Sequence, residues 1–307
     1  MKAAVMIEFQ QILCPIDFSD YSRHALAHAA TLARWYDSTI TVLYVHPIVP
    51  MAASAPGAPA FPPLMATARD RDQVLESMRC FARGASESDV PMTFEVVEGT
   101  AAPVILGRAQ ELPADLIVLG THGRSGFERL VLGSVTEKVL RKASCPVLSV
   151  PPRVDGAAHW PPLFTRILCA IDFSDCSINA LSYAMSIAQE ADARLTVLHV
   201  MEVPLEVEEF LSGDSEVLRD YTAGAREARR ERLRTVVPDA VRAYCTVETM
   251  LAEGKPSREI LRVAREQQSD LIVIGIHGRG AADLLFFGSA TQHVVREATC
   301  PVLTLRR

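Results

Sequence analysis

The sequence predicts an α/β protein built as two tandem, doubly wound parallel sheets of five strands each. Short apolar, β-branched runs alternate with stretches of helical periodicity, the pattern of strands joined by crossover helices. The pattern also recurs: Asp17, Gly99, Gly120 and Cys145 return 155 residues later as Asp172, Gly254, Gly275 and Cys300. A chain of 307 residues accommodates two such copies, each large enough for its own core. The expected division is 1–152, a Pro-rich linker at 153–164, and 165–307.

In the first copy, residues 11–17 (Gln-Ile-Leu-Cys-Pro-Ile-Asp) read as a buried strand ending on a carboxylate. Ser19 and Asp20 then offer caps to a helix in which Ala25, Leu26, Ala29, Leu32 and Ala33 recur at helical spacing. Residues 39–45 form a second strand, and a strand–helix–strand crossover implies a parallel pair. From 47 to 63 the chain is rich in Pro, Ala, Gly and Met and reads as a surface loop, a candidate flap. A helix over 69–88, a strand over 92–97 and a helix over 102–111 follow. Leu116-Ile117-Val118-Leu119 is the fourth strand, running into glycine. A helix over 135–142 and a short strand over 145–150 complete the copy.

Residues 151–164 (Pro-Pro-Arg-Val-Asp-Gly-Ala-Ala-His-Trp-Pro-Pro-Leu-Phe) mark the boundary. Residues 166–175 then repeat 11–20, differing only at the first position and at Ala170 for Pro15. The copies diverge most in the middle, where the second has a charged helix over 217–234. Residues 270–274 and 300–305 echo the fourth and fifth strands.

Composition is that of an ordinary globular protein, 49% apolar and 22% charged. A net charge of -6 argues against nucleic acid as a partner, since phosphate-backbone binding needs a basic surface. The basic cluster at 226–234 is interleaved with glutamate and reads as a solvated helix face. Seven cysteines without a CxxC fit a reducing compartment, and no apolar run is long enough to span a membrane. With an opening segment too short and too soon acidic for a signal peptide, a cytoplasmic protein is expected.

The chemistry concentrates after the fourth strand. Gly120, Gly123, Gly133 and Ser134 form G-x2-G-x9-G-S, and Gly275, Gly278, Gly288 and Ser289 repeat it. Glycine lets a backbone approach a phosphate closely, and the helix that follows presents unpaired N–H groups and a positive dipole end. The pattern is neither a P-loop nor a dinucleotide fingerprint. Ser134 with Glu137, and Ser289 with Gln292, also read as capping boxes, a role compatible with phosphate binding. Asp17 and Asp172 end the first strand of each copy, either as turn residues or as acceptors for sugar hydroxyls at a nucleoside end. Arg124 and Arg279 are cations available to phosphate, or solvated surface charges. His122 and His277 lack an accompanying nucleophile and orienting partner, so no catalytic residue is assigned. No histidine, cysteine and carboxylate spacing suits a metal; Mg²⁺ is expected only on a nucleotide.

These residues resemble the universal stress protein family in its tandem form. The resemblance spans about residues 8–152 and 163–307. It rests on Ile-Asp-Phe-Ser at 16–19 and 171–174, on both glycine patterns, and on Cys-Pro-Val-Leu at 145 and 300. It implies a fold similar to the adenine-nucleotide α-hydrolases, strand order 3-2-1-4-5, and ATP binding in both copies. Asp17 and Asp172 would then contact adenosine, and Val45 and Val200 would offer backbone to adenine. Gly120, Gly123, Gly133, Ser134 and Val135 would wrap the phosphates, as would Gly275, Gly278, Gly288, Ser289 and Ala290. The resemblance also implies that residues 147–150 and 302–305 face each other antiparallel as an intramolecular pseudo-dimer, with a homodimer of chains left open.

The expected function is that of an ATP-binding stress-response module with little or no turnover. The alternatives are a slow ATPase or phosphotransferase using His122 or His277, and an interaction protein independent of nucleotide. Thr121, Ser125, Gly126 and Arg129 become Ile276, Gly280, Ala281 and Leu284 in the second copy. The first copy is therefore expected to bind ATP more tightly.

Overall fold

A computed structural model of the chain describes residues 7–48, 68–84, 90–122, 132–152, 164–202, 216–276 and 288–306, with side chains from 70 and from 223 in the two segments that open on helices. The chain divides into two compact units, one spanning Glu8–Pro162 and the other Leu163–Arg307 together with Met1–Ile7.

The first unit runs β1 (Gln11–Ile16), α1 (Asp20–Tyr36), β2 (Thr39–His46), α2 (Ala68–Arg83), β3 (Met92–Glu98), α3 (Ala101–Glu111), β4 (Leu116–Gly120), α4 (Ser134–Lys142) and β5 (Val147–Val150). Its strands are parallel in the order β3-β2-β1-β4-β5. The second unit runs β6 (Arg166–Ile171), α5 (Asp175–Glu190), β7 (Arg194–Met201), α6 (Glu216–Val236), α7 (Asp239–Arg242), β8 (Thr246–Glu253), α8 (Pro256–Glu266), β9 (Leu271–Gly275), α9 (Ser289–Glu297) and β10 (Val302–Leu305). Its own order is β8-β7-β6-β9-β10, again parallel.

The continuous apolar runs have the reason expected of parallel sheets, whose inner strands are covered on both faces. Leu116 to Leu119 in β4 and Leu271 to Ile274 in β9 are buried throughout. The outer strands β3 and β8 are half-exposed and correspondingly carry Thr and Glu. Both sheets place the strand order reversal between the first strand and the fourth, so the crevice lies outside the carboxyl ends of β1 and β4, or of β6 and β9.

Several boundaries differ from those the sequence suggests. The helix read over 69–88 is described as Ala68–Arg83, and 85–88 lie outside the described residues. The last strand of each copy starts two residues late, at Val147 and Val302. Pro146 and Pro301 donate nothing to a ladder, and their carbonyls instead accept from Ile117 and Ile272 at 3.0 and 2.9 Å. Phe164, read as linker, is 1% exposed, as is its repeat equivalent Phe9, so the packed structure begins before the strand does. Most of the loop at 47–63 lies outside the described residues, as does 153–163.

Candidate functional site

The turn from the first strand to the first helix is built the same way twice. Ser19 N donates to Asp17 Oδ1 at 3.0 Å, and Ser19 Oγ donates to the same oxygen. In the second unit Ser174 N and Oγ donate to Asp172 Oδ1 at 3.0 and 2.6 Å. The intervening Phe18 and Phe173 both sit at φ 63, in the left-handed region. That conformation costs a bulky residue about 1–2 kcal/mol, and two hydrogen bonds to a carboxylate, each worth about 1.5–3 kcal/mol, outweigh it. Ser19 and Ser174 in turn cap the helices, accepting from Ser22 N and Ser177 N. One carboxylate oxygen of each aspartate therefore fixes the loop at the mouth of the crevice.

Beyond this turn, β2 outruns β1. The last pairs in register are Ile16 with Tyr44 and Ile171 with His199. Val45 and Val200 thus lie past the end of their inner neighbour, where strand backbone borders the crevice.

The glycines that end the fourth strand of each unit have a structural reason distinct from phosphate approach. A Cβ on Gly120 would stand 3.0 Å from Tyr21 Cβ, and one on Gly275 would stand 2.9 Å from Cys176 Sγ. These positions let α1 and α5 start close against β4 and β9. Gly133 N donates to the Thr121 carbonyl at 2.8 Å, and Gly288 N to that of Ile276 at 3.1 Å. The chain returning from each loop is thereby tied to the end of its strand.

Both helices that follow are capped by glycine, not by serine. Gly133 is the N-cap of α4 and Gly288 that of α9, with no side-chain cap in either. Ser134 and Ser289 are the first helical residues, so neither capping box forms. Glu137 turns along the helix to Arg141, 3.0 Å away. The consequence suits an anion: Ser134 and Ser289 are exposed at helix starts whose first N–H groups have no capping side chain.

Two positioning residues escape a reading based on glycine spacing. Thr136 Oγ1 donates to the Gly120 carbonyl and Thr291 Oγ1 to that of Gly275, each at 2.8 Å. They clamp the first turn of the helix to the strand, and their 155-residue offset is the signal that could have found them. His122 is held with Thr121 Oγ1 2.9 Å from its Nδ1, and its ring lies 5.6 Å from that of Tyr21. Gly123, Arg124, His277, Gly278 and Arg279 lie outside the described residues.

In the second unit these parts enclose a cavity of about 640 Å³, within the range of small-molecule sites. Asp172, Val200, Gly275, Gly288, Ser289 and Ala290 all line it, gathered from segments that are far apart in the chain. Thr291, His199, Glu202 and Arg229 line it as well. His199 is 6% exposed, with Nδ1 2.8 Å from the Ile171 carbonyl, so Nδ1 carries the proton when the ring is neutral. Its ring centroid lies 4.7 Å from that of Phe173, with the two planes tilted by 54°, and the Arg232 guanidinium covers the Phe173 ring at 4.1 Å. The basic run at 226–234 is thus not simply a solvated face. Arg226 clasps Glu253 with two nitrogens, Arg232 stacks, and Arg229 lines the cavity. Among the described residues no cluster of metal-ligating side chains occurs, and no helix is long and apolar enough to cross a membrane.

Comparison with known proteins gives a consistent match. A family model described as the universal stress protein family fits residues 8–151 and again 163–306. A universal stress protein of Methanocaldococcus jannaschii is 34% identical over 142 residues, 46% of this chain and 82% of that protein. One from Mycolicibacterium smegmatis is 28% identical over 302 residues, 96% of each chain. The crystal structure of a universal stress protein from Archaeoglobus fulgidus is similar with a TM-score of 0.63 at 23% identity, covering 98% of both chains, a likeness of fold.

Proposed function

The chain belongs to the universal stress protein family, and we propose that it is a stress-response module that binds ATP, with Mg²⁺ carried on the phosphates, and turns it over slowly or not at all. The observation that carries this reading is the single cavity onto which Asp172, Val200, Gly275, Gly288, Ser289 and Ala290 converge. Phosphates would lie at the start of α9, against its N–H groups and between Gly275 and Gly288. The sugar would meet the Asp172 carboxylate, and the base the backbone of Val200. The order keeps carboxylate and triphosphate apart, as charge requires.

Asp17, Val45 and Gly120 stand at the corresponding strand ends of the first unit, and Gly133, Ser134 and Val135 at the corresponding helix start, and they would form a second site. Gly123, Arg124 and His122 there, and His277, Gly278 and Arg279 in the second copy, would complete the phosphate loops. The first site would be the tighter, since it keeps Thr121 where the second has Ile276, and Arg129 where the second has Leu284. All seven cysteines are free, as a protein working in a reducing cytoplasm would have them.

Native mass spectrometry of freshly purified protein tests the proposal. The chain plus the mass of one or two ATP is expected. Unliganded protein that also gives no calorimetric response to added ATP overturns it. The rival reading, an ATPase or phosphotransferase, draws on the Thr121 hydroxyl beside His122 Nδ1. Single-turnover hydrolysis that collapses in His122→Ala while binding persists would favour that rival.

A further inference from the structure

Two charged side chains in the second unit's cavity have no counterpart in the first copy. Arg229 of α6 and Glu202, just past β7, both line it. Val74 and Pro47 stand 155 residues earlier, and neither side chain can donate or accept a hydrogen bond.

The arginines around Arg229 are committed elsewhere. Arg226 pairs with Glu253, Arg230 with Glu227, and Arg234 with Glu227 and Glu231. Arg232 lies over Phe173. Among the described residues, no carboxylate stands within the 4.0 Å of an ion pair from Arg229, Glu202 included. The Arg226–Glu253 pair holds α6 to the end of β8, and Arg229, three residues on, shares that helix face. Arg229 and Glu202 therefore mark the β7 end of the cavity. Gly275, Gly288 and Ser289 mark its β9 end. One strand, β6, separates β7 from β9, so the two ends are about 10 Å apart.

We propose that Arg229 and Glu202 hydrogen-bond the base edge of the ligand in the second cleft, where the first copy has apolar side chains. The inference rests on the nucleotide reading above. A phosphate suits this end poorly, because two carboxylates, Asp172 and Glu202, face the cavity with one guanidinium. A purine suits it well. Its edge sets an acceptor beside a donor, N7 beside the 6-amino group in adenine or O6 beside N1–H in guanine. The guanidinium donates to the acceptor, and the carboxylate accepts from the N–H, without the two charges touching each other.

Calorimetry on the full chain with ATP, adenosine and inorganic tripolyphosphate tests this. Arg229→Met preserves length and should leave the melting temperature unchanged. It is expected to weaken one binding event about tenfold for ATP and for adenosine alike, and to leave tripolyphosphate unaffected. Arg229→Lys, which keeps the charge without the planar fork, should recover at most part of the loss. Weaker tripolyphosphate binding with adenosine unaffected would assign Arg229 to phosphate and overturn the inference. Unchanged affinities in both variants overturn it too. Wild-type protein that binds none of the three probes overturns the nucleotide reading itself, and this inference with it.

Discussion

A Cβ built on Gly288 lies 2.7 Å from the carbonyl oxygen of Ile276, closer than real contacts come. The obstructing atom is backbone, already accepting from Gly288 N at 3.1 Å, and cannot swing aside. The glycine is therefore required by the protein's own packing, before any ligand is considered.

Gly288→Ala should destabilise the second unit by about 1–3 kcal/mol in urea titration without nucleotide. Gly133→Ala should cost less, because its Cβ would meet the Thr121 carbonyl at 3.0 Å. Equal midpoints for both variants and the parent would refute the packing role. Lost binding in such variants would not by itself report a phosphate contact.

Asp172 separates structural and ligand roles more cleanly. Asp172→Ala removes the acceptor for Ser174 and leaves Phe173 unsupported at φ 63, a loss of about 2 kcal/mol. Asp172→Asn keeps an acceptor oxygen and should lose less than half of that. If the carboxylate also holds a sugar, both variants should weaken one ATP-binding event about tenfold and leave the first unit's site unchanged. Full ATP affinity in Asp172→Asn would confine the residue to the turn.

The His28 imidazole, on α1, is pushed down from its ordinary 6.5 to about 4 by burial. The unfolded chain then takes up the proton first. Stability should be at its full value above pH 6.5 and fall as pH drops towards 4, by at most about 3 kcal/mol. In His28→Leu that part of the slope should vanish, as denaturant midpoints at pH 7.5 and pH 5 would reveal.

Thiol labelling should find one fast cysteine, Cys80, which alone among the seven is exposed. Burial raises the Cys14 and Cys169 thiols well above their usual range, Cys145 to about 11 and Cys300 to about 12. At pH 8 these stay protonated and unreactive. All seven should react after unfolding. Rapid modification of more than one in the native protein would contradict the described burial.

The alternation of apolar runs and helical periodicity, together with the 155-residue offset, was enough to determine a pair of five-stranded α/β units. Those signals are local or repetitive, and a buried parallel strand must be apolar along its whole length whatever surrounds it. The same offset placed Asp172 and Gly275 at strand ends and Gly288 at a helix start, and all three line one cavity. Tertiary structure alone decided what each residue touches. It made Gly133 the cap in place of Ser134, gave Gly275 to the approach of Cys176, buried Phe164 outside its strand, and turned Arg229 towards a cavity from a run of similar arginines. Each of these depends on the distance between segments remote in the chain, and one-dimensional spacing carries no measure of that distance.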